Sequence, residues 1–277
     1  WEIWNEPNLP GYRCWGGTPE EFYELYSISA KHLKKCFPHL KIGGPAMAGV
    51  DEEWMKGFLE CISKDREIAL DFFSWHHYVF KPEELLQDSE IVRKYLDEYG
   101  FQDAENICNE WNYVKDWEER FVESLKILKT YKGAAFVSAC MCACHESDID
   151  MLMYYDTRPS VFNGIFDFYT YEKLKGYYPM LWYSDFYKLE GEVRAENEVD
   201  KIYTLCGVSD SGKVTAMLTY YTDNDNAPNK EIELDFGKDG KYEVYLLDKE
   251  HDGELIDTTD KLLFNMSVHS CLLIKEI

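Results

Sequence analysis

Two glutamates, Glu6 and Glu110, each end an apolar run that is typical of a buried strand. The first lies in Trp-Glu-Ile-Trp-Asn-Glu-Pro, residues 1–7, and the second in Ile-Cys-Asn-Glu-Trp-Asn, residues 107–112. A strand that ends in this way presents its carboxylate at the edge of a sheet. Glycoside hydrolysis needs two such groups, one as proton donor and one as nucleophile. We therefore take both glutamates as candidate catalytic residues.

The spacing of the two glutamates fits a barrel of parallel strands. About 100 positions separate them, or about three β-α units at roughly 30–35 residues each. In a closed barrel the strand ends converge on one face, so both carboxylates would meet across its mouth. A retaining mechanism places the carboxyl groups about 5–5.5 Å apart, whereas an inverting one leaves room for a water molecule. An Asn-Glu-Pro segment on its own is most simply interpreted as a structural turn at the end of a strand. The second strand-end glutamate, about three units later, makes a catalytic pair the preferred interpretation.

Residues 1–190 alternate short apolar segments with amphipathic helices. Thr18 and Glu21 form a capping box, and Pro19 takes the first helical position of a helix that Pro38 ends. Such repeated β-α units indicate a parallel sheet with helices outside it. Further helices are predicted near residues 52–63, 82–99, 117–131 and 177–189, and strands near 41–45, 71–78, 107–110 and 151–156.

The pattern changes after Gly191. Short runs rich in Val, Ile, Leu and Tyr alternate with turn signals, which predicts an antiparallel β-sandwich over residues 191–277. The turn at 223–226, Asp-Asn-Asp-Asn, offers ligands for a calcium ion, although a plain turn is the commoner meaning of such a segment. The predicted strands lie at 201–208, 214–221, 231–236, 242–247 and 269–275.

Composition narrows the classes of partner. The formal net charge of -23 argues against nucleic acid and anionic membrane surfaces, which both reward basic patches. Neutral sugars are indifferent to that charge, and the 16% of aromatic residues includes rings that could stack on pyranoses. Most of these rings are expected to fill the core. No apolar run approaches the roughly 20 residues of a membrane span.

The cysteines favour a reducing compartment, so we predict a cytoplasmic location. Nine is an odd number, and a chain of 277 residues does not need a disulfide framework. The run Cys-Met-Cys-Ala-Cys-His at 140–145 suggests a metal cluster at first sight. Residues two apart do not converge on a helix, and no distant pair completes four ligands. We predict small buried residues here, with no metal and no cofactor.

Several motifs resemble, in order, the retaining glycoside hydrolases with (β/α)8 barrels. More narrowly, they are similar to family 39, the β-xylosidase and α-L-iduronidase family. The resemblance covers residues 1 to about 190, and the β-sandwich also suits that family. The motifs are Trp4-Asn5-Glu6-Pro7-Asn8-Leu9, Phe22-Tyr23 with Leu25-Tyr26, Gly43-Gly44-Pro45-Ala46, Asp71-Phe72-Phe73-Ser74, Ser74-x-His76-x-Tyr78 and Glu110-Trp111-Asn112.

The resemblance implies the roles of the two glutamates. Glu6 would be the general acid/base, and Glu110 the nucleophile that forms a glycosyl-enzyme intermediate. Asn5 would hydrogen-bond the sugar 2-hydroxyl, a contact that strengthens in the transition state.

Three more residues are implied at the same mouth. Tyr78 would orient Glu110, His76 would line the site, and Trp111 would contact the substrate. A structural histidine is the open alternative for His76. His77 would point to the opposite face of its strand.

Two segments depart from the family pattern. Asn109 stands where the family usually has Thr, and residues 154–159 replace a Trp-containing strand end. In that second segment, Asp156 or Arg158 would contact substrate or form a structural salt bridge.

The beginning of the chain departs most. The acid/base glutamate ends the fourth strand in this family, so the resemblance implies three further β-α units before Trp1. We therefore expect a C-terminal portion of a longer enzyme: strands four to eight of a (β/α)8 TIM-type barrel at residues 1–190, followed by the β-sandwich. The missing N-terminal half or a second copy in a homo-oligomer would cover the open barrel.

The sequence thus predicts a retaining glycosidase, or its catalytic fragment, that acts on β-linked glycosides such as xylosides. The alternative is an inactive carbohydrate-binding or scaffold remnant that keeps the motifs without the chemistry. A metal-dependent hydrolase built on His76, His77 and the cysteines has the wrong ligand spacing.

Overall fold

The structure is a computed structural model that describes residues 1–9, 11 and 13–277. The chain divides into two compact units, and each combines separate segments. Unit 1 comprises Trp1–Val79, Glu83–Asn112 and Ser147–Tyr155, and unit 2 comprises Phe80–Pro82, Tyr113–Glu146 and Asp156–Ile277. Unit 2 joins segments from both sides of residue 190, so the domain boundary between residues 190 and 191 stays a prediction.

Unit 1 is built on a parallel sheet. Its four strands lie in the order β1-β2-β3-β4, and the β1–β2 and β3–β4 ladders are parallel. A helix precedes β1, a second joins β1 to β2, and a third joins β2 to β3. The elements are α1 (Pro19–Cys36), β1 (Gly43–Ala48), α2 (Glu52–Ser63), β2 (Phe72–Val79), α3 (Pro82–Glu98), β3 (Glu105–Tyr113) and β4 (Met151–Tyr154).

The first residues form less regular structure than the sequence predicts. Glu2 makes a single parallel bridge to Gly43 of β1, and Ile3 N donates to Gly43 O at 2.9 Å. Trp4 then adopts a left-handed backbone with a φ of 72°, which ends the extended conformation. The expected strand is therefore reduced to a bridge beside β1.

Helices α1 and α2 bury an aromatic face. The predicted capping box begins α1, because Glu21 N donates to Thr18 Oγ1 at 3.3 Å and Thr18 N donates to Glu21 Oε2 at 2.8 Å. Further along, the rings of Tyr26 and Phe58 meet edge to face at 4.9 Å, and both side chains are fully buried. This packing fixes the layer of helices that covers β1.

Unit 2 is built on antiparallel sheets with helices. A six-stranded sheet has the order β10-β9-β12-β7-β6-β5, and a two-stranded sheet pairs β11 with β8. The antiparallel pairing of these strands agrees with the prediction, whereas the packing of the two sheets into a sandwich stays a prediction. The elements are α4 (Phe121–Ile127), α5 (Tyr131–His145), α6 (Tyr177–Phe186), β5 (Gly191–Glu192), β6 (Ile202–Val208), β7 (Val214–Tyr220), β8 (Lys230–Glu233), β9 (Tyr242–Leu247), β10 (Asp252–Thr259), β11 (Leu263–Met266) and β12 (Ser270–Glu276).

The largest differences from the predicted elements lie in unit 2. Helix α4 is shorter than the helix expected near residues 117–131. The segment after it, expected only as a short apolar stretch, forms the 15-residue helix α5. Cys140, Cys142 and Cys144 lie buried in α5, and none of the nine cysteines, each among the described residues, forms a disulfide. Strands β5, β10 and β11 were not predicted.

Among the described residues, none of the helices combines the length and the apolar character that crossing a bilayer requires.

Candidate active site

A tight turn presents Glu6. Its φ of 48° and the φ of 54° at Ala46 lie in the left-handed region, which costs a non-glycine residue roughly 1–3 kcal/mol. Glu6 N donates to Ala46 O at 2.8 Å, so the two strained residues hold each other. The surrounding structure fixes a conformation that these residues would not choose alone, and it aims the Glu6 carboxylate.

Asn8 secures the residues that follow this turn. Its Nδ2 donates to Ala48 O at 2.9 Å, and its Oδ1 accepts from Ala48 N at 2.8 Å. The side-chain amide thus imitates a neighbouring strand at the end of β1. The main chain of Glu6 and the side chain of Asn8 therefore both anchor this turn to β1.

Glu110 lies on β3 and receives a hydrogen bond from β2. Tyr78 Oη donates to Glu110 Oε2 at 2.7 Å. Tyr78 and His76 are two residues apart on β2, so both project from the same face of the strand. The Glu110 side chain is 23% exposed and is therefore accessible to a substrate.

His76 lies between the two glutamates. Its Nδ1 is 3.0 Å from Glu6 Oε1 and 3.6 Å from Glu110 Oε2, while only 2% of its side chain is exposed. One ligand atom from each of these three residues lies within 4.8 Å of the other two. The structure thus brings together residues that are distant in sequence.

The electrostatics of the site are set by these contacts. The hydrogen bond with His76 lowers the pKa of Glu6 from 4.5; burial opposes this, and the His76 charge and Cys14 add to it. Burial, followed by the hydrogen bond to Glu110, raises the pKa of Tyr78, which therefore stays a donor at neutral pH. In the free protein, Glu6 is held ionised.

A polar network behind the site was not predicted. Glu2 Oε1 accepts from Asn109 Nδ2 at 2.8 Å and from Ser74 Oγ, and Ser74 Oγ accepts from Ala46 N at 2.9 Å. It joins β1, β2 and β3 to the first residues of the chain. The partners are up to 107 positions apart, so no local pattern could have indicated them.

The two remaining residues predicted to contact substrate, Asn5 and Trp111, differ in their exposure to solvent. Asn5 is exposed next to Glu6. Trp111 is only 1% exposed and packs edge to face against Tyr154, with ring centroids 5.6 Å apart. In this structure the Trp111 ring is therefore core, and no sugar can stack on it without a rearrangement.

His77 lies away from the candidate site, as the alternation along β2 predicts. Its Nδ1 contacts Asp88 Oδ2 of α3. The imidazole is therefore engaged in a structural pair and does not join His76.

Two further segments, for which the sequence left a functional role open, contain carboxylates that form ion pairs. Arg158 donates from Nε and Nη2 to Asp156 Oδ2, at 3.0 and 2.6 Å. In the Asp- and Asn-rich turn, Lys132 Nζ lies 3.2 Å from Asp223 Oδ1 and 2.5 Å from Asp225 Oδ1. A lysine ammonium thus occupies the place next to these carboxylates that the sequence left open to calcium.

Comparison with known proteins gives a consistent set of relatives. The family model described as Glycosyl hydrolases family 39 matches residues 1–99. A β-xylosidase of Geobacillus stearothermophilus is 31% identical over 130 residues, 40% of this chain and 25% of that enzyme. A β-xylosidase of Caldicellulosiruptor saccharolyticus is 39% identical over 77 residues, 28% of this chain and 15% of that enzyme. The matches span a quarter or less of these curated relatives.

Similar solved structures cover nearly the whole chain. A glucosidase from Croceicoccus marinus has a TM-score of 0.78 at 22% identity, covering 100% of this chain and 68% of that one. A family 39 β-xylosidase from Caulobacter crescentus has a TM-score of 0.73 at 18% identity, with coverages of 99% and 66%. At such identities the likeness establishes the fold alone. The assignment of the strands to barrel positions four to eight stays a prediction.

Proposed function

We propose that this chain, whose residues 1–99 match the model of glycosyl hydrolases family 39, carries the catalytic site of a retaining glycosidase that cleaves β-xylosides. The observation that carries the proposal is the meeting of Glu6, His76 and Glu110. Their ligand atoms lie within 4.8 Å of one another. This supports a retaining mechanism, in which the carboxyl groups are about 5–5.5 Å apart, over an inverting one at about 6.5–9.5 Å.

The proposed reaction proceeds in two displacements. Glu110 attacks the anomeric carbon and the glycosidic bond breaks, while Glu6 gives its proton to the leaving oxygen. Glu6 then takes a proton from water, which attacks the same carbon and releases Glu110. Asn5 would hold the 2-hydroxyl, while Tyr78 keeps the Glu110 carboxylate oriented.

Glu6 must acquire a proton before the first displacement. Its pKa is lowered in the free protein, chiefly by His76. A bound sugar expels water from between the two carboxylates, and two like charges in a drier site disfavour simultaneous ionisation. Substrate binding therefore favours protonation of one carboxylate, and Glu6 is the one that faces the leaving group in this proposal.

Release of the aryl group from an aryl β-xyloside tests the activity. Glu110→Ala should lose on the order of 10³-fold or more in kcat, because no nucleophile remains. Glu24→Ala, an exposed change on α1, should keep full activity. A mechanism-based fluoro-sugar should add its mass to the peptide that contains Glu110. Equal rates from the protein and Glu110→Ala would refute the mechanism.

The same assays separate the alternatives. An aryl β-glucoside run in parallel tests the xyloside preference, since one structural relative is a glucosidase. Binding of xylobiose without any aryl release would instead support the non-catalytic remnant. Activity that EDTA abolishes would point to a metal held by the three clustered residues, whereas the two-carboxylate mechanism needs none.

A further inference from the structure

Each oxygen of the Glu6 carboxylate has its own neighbour. Oε1 lies 3.0 Å from His76 Nδ1, and Oε2 accepts a hydrogen bond from Cys14 Sγ at 3.7 Å. His76 is almost fully buried, whereas Cys14 is half-buried. The buried imidazole therefore closes Oε1 to a ligand, and the thiol stands at the oxygen that a ligand can reach.

Aromatic contacts hold the loop that carries Cys14. Trp4 Nε1 donates to Cys14 O at 2.9 Å, and the rings of Trp4 and Trp15 meet edge to face at 5.4 Å. Trp15 in turn packs against Phe22 of α1 at 5.7 Å, and its Nε1 donates to Thr18 O at 2.9 Å. The loop is thus anchored both to the turn at Glu6 and to α1.

We propose that Cys14 is a positioning residue for the acid/base glutamate. In the free protein its thiol holds Glu6 Oε2 in the orientation that the leaving-group oxygen meets, and the substrate then displaces it. A thiol suits this task because it is a weak donor, which orients a carboxylate without competing strongly with a ligand. The inference rests on the proposed function of Glu6 and extends it to a residue outside the recognised motifs.

Several titratable and charged groups surround Glu6, and they determine how the Cys14 thiol affects the pKa of Glu6. His76 and Tyr78 face it from β2, Glu110 from β3, and Arg13 lies beside Cys14 in the loop. Burial, then the charge of Glu6, raises the pKa of Cys14, so the thiol remains a protonated donor. Its hydrogen bond adds to that of His76 in lowering the pKa of Glu6. Loss of this donor must therefore raise the pKa of Glu6.

Two variants remove the donor. Cys14→Ala deletes the thiol, and Cys14→Val replaces it by apolar atoms, so a packing defect in one is checked by the other. With ¹³C-labelled glutamate, and Glu6→Gln for assignment, the NMR titration midpoint of Glu6 should rise by roughly half a pH unit in both variants. Cys61→Ala, another partly buried free thiol of unit 1, should leave the midpoint unchanged.

The pH profile of activity provides the second readout. Because Glu6 must be protonated to donate, the basic limb of kcat/KM should move to higher pH in both variants by the same amount as the midpoint. An unchanged Glu6 midpoint in both variants would overturn the inference. A shifted midpoint in a protein that releases no aryl group would uphold the contact and refute the proposed function instead.

Discussion

Tyr78 Oη donates a hydrogen bond directly to the candidate nucleophile, and it lies 2.7 Å from Glu110 Oε2. Tyr78→Phe removes that bond and keeps the ring. A hydrogen bond to a charged group is worth about 1.5–3 kcal/mol, so kcat/KM on an aryl β-xyloside should fall about 10- to 100-fold. Steady-state kinetics at the pH optimum measure it.

Tyr23→Phe is the matched control for Tyr78→Phe. Tyr23 Oη also donates a buried hydrogen bond in unit 1, to Trp54 O at 3.0 Å, but it contacts no candidate catalytic residue. This variant should lose stability and keep its kcat/KM. Full activity in Tyr78→Phe would show that Glu110 is oriented without the hydroxyl.

At the residue scale, the sequence predicts those site residues that follow a strand pattern. The family resemblance implies that His76 and Tyr78 line the site, and the alternation along a strand predicts that His77 points to the opposite face. Cys14 gave no such signal, because its contact with Glu6 depends on how a loop returns. Trp111 was expected beside substrate, and in the structure its side chain is only 1% exposed and packs against Tyr154 of β4.

The capping box of α1 is an element-scale feature that both sequence and structure show. Thr18→Ala removes the side-chain acceptor for Glu21 N, so the free energy of unfolding should fall by about 1 kcal/mol. Urea unfolding measures the loss. Glu24→Ala, an exposed change within the same helix, should alter stability by less than about 0.5 kcal/mol. Equal losses in both variants would mean that the cap contributes nothing.

The loop between β7 and β8 is held by ion pairs in unit 2. Asp223 pairs with Lys115 and with Lys132, whose side chain is only 9% exposed, and it accepts from Tyr113 Oη at 3.3 Å. Asp223→Ala leaves the buried Lys132 ammonium with the exposed Asp225 carboxylate and the main-chain carbonyl oxygen of position 223 as its remaining partners. Because breaking a buried pair costs about 3–5 kcal/mol and Asp223 is partly exposed, we expect a loss of about 2–3 kcal/mol.

Asp225→Ala tests the asymmetry of this cluster. Its side chain is 68% exposed, so the solvent already screens its contact with Lys132. Thermal and urea unfolding should therefore show a loss below about 1 kcal/mol, well under that of Asp223→Ala. Similar losses in both variants would mean that burial does not set the strength of these pairs.

Helix α5 shows where periodicity carries no information. Twelve of its 15 residues are buried, so apolar and small residues occur all round and no amphipathic stripe marks it. Strand β10 fails for the opposite reason, since it lies at the edge of the sheet and most of its residues are exposed. Elements buried on all sides or exposed on both faces escape a pattern that depends on one buried face.

Across the whole molecule, the change of pattern along the chain predicted the two types of sheet that the structure contains. Alternating helices and strands gave the parallel sheet, and later short runs gave the antiparallel sheets, because each type of sheet has its own burial pattern. The grouping into compact units depends on contacts between distant segments. Helix α5, for example, packs on β6, β7 and β12, which follow it by more than 50 positions in the chain.

The pH dependence of stability should include a contribution from His269, which is only 2% exposed. Burial lowers its pKa from 6.5, opposed by the bond to Thr222 O. Around and below pH 6.5 the unfolded chain therefore binds more protons than the folded one. The contribution of neutral His269 to the free energy of unfolding is complete above pH 6.5 and is lost as the pH falls towards the lowered pKa of the folded state. His269→Asn suits the φ of 61° and should flatten the fall in unfolding free energy between pH 7.5 and 5.5. His39→Asn, at an exposed position, should keep the slope of the unchanged protein, and an equally steep fall in His269→Asn would contradict the assignment.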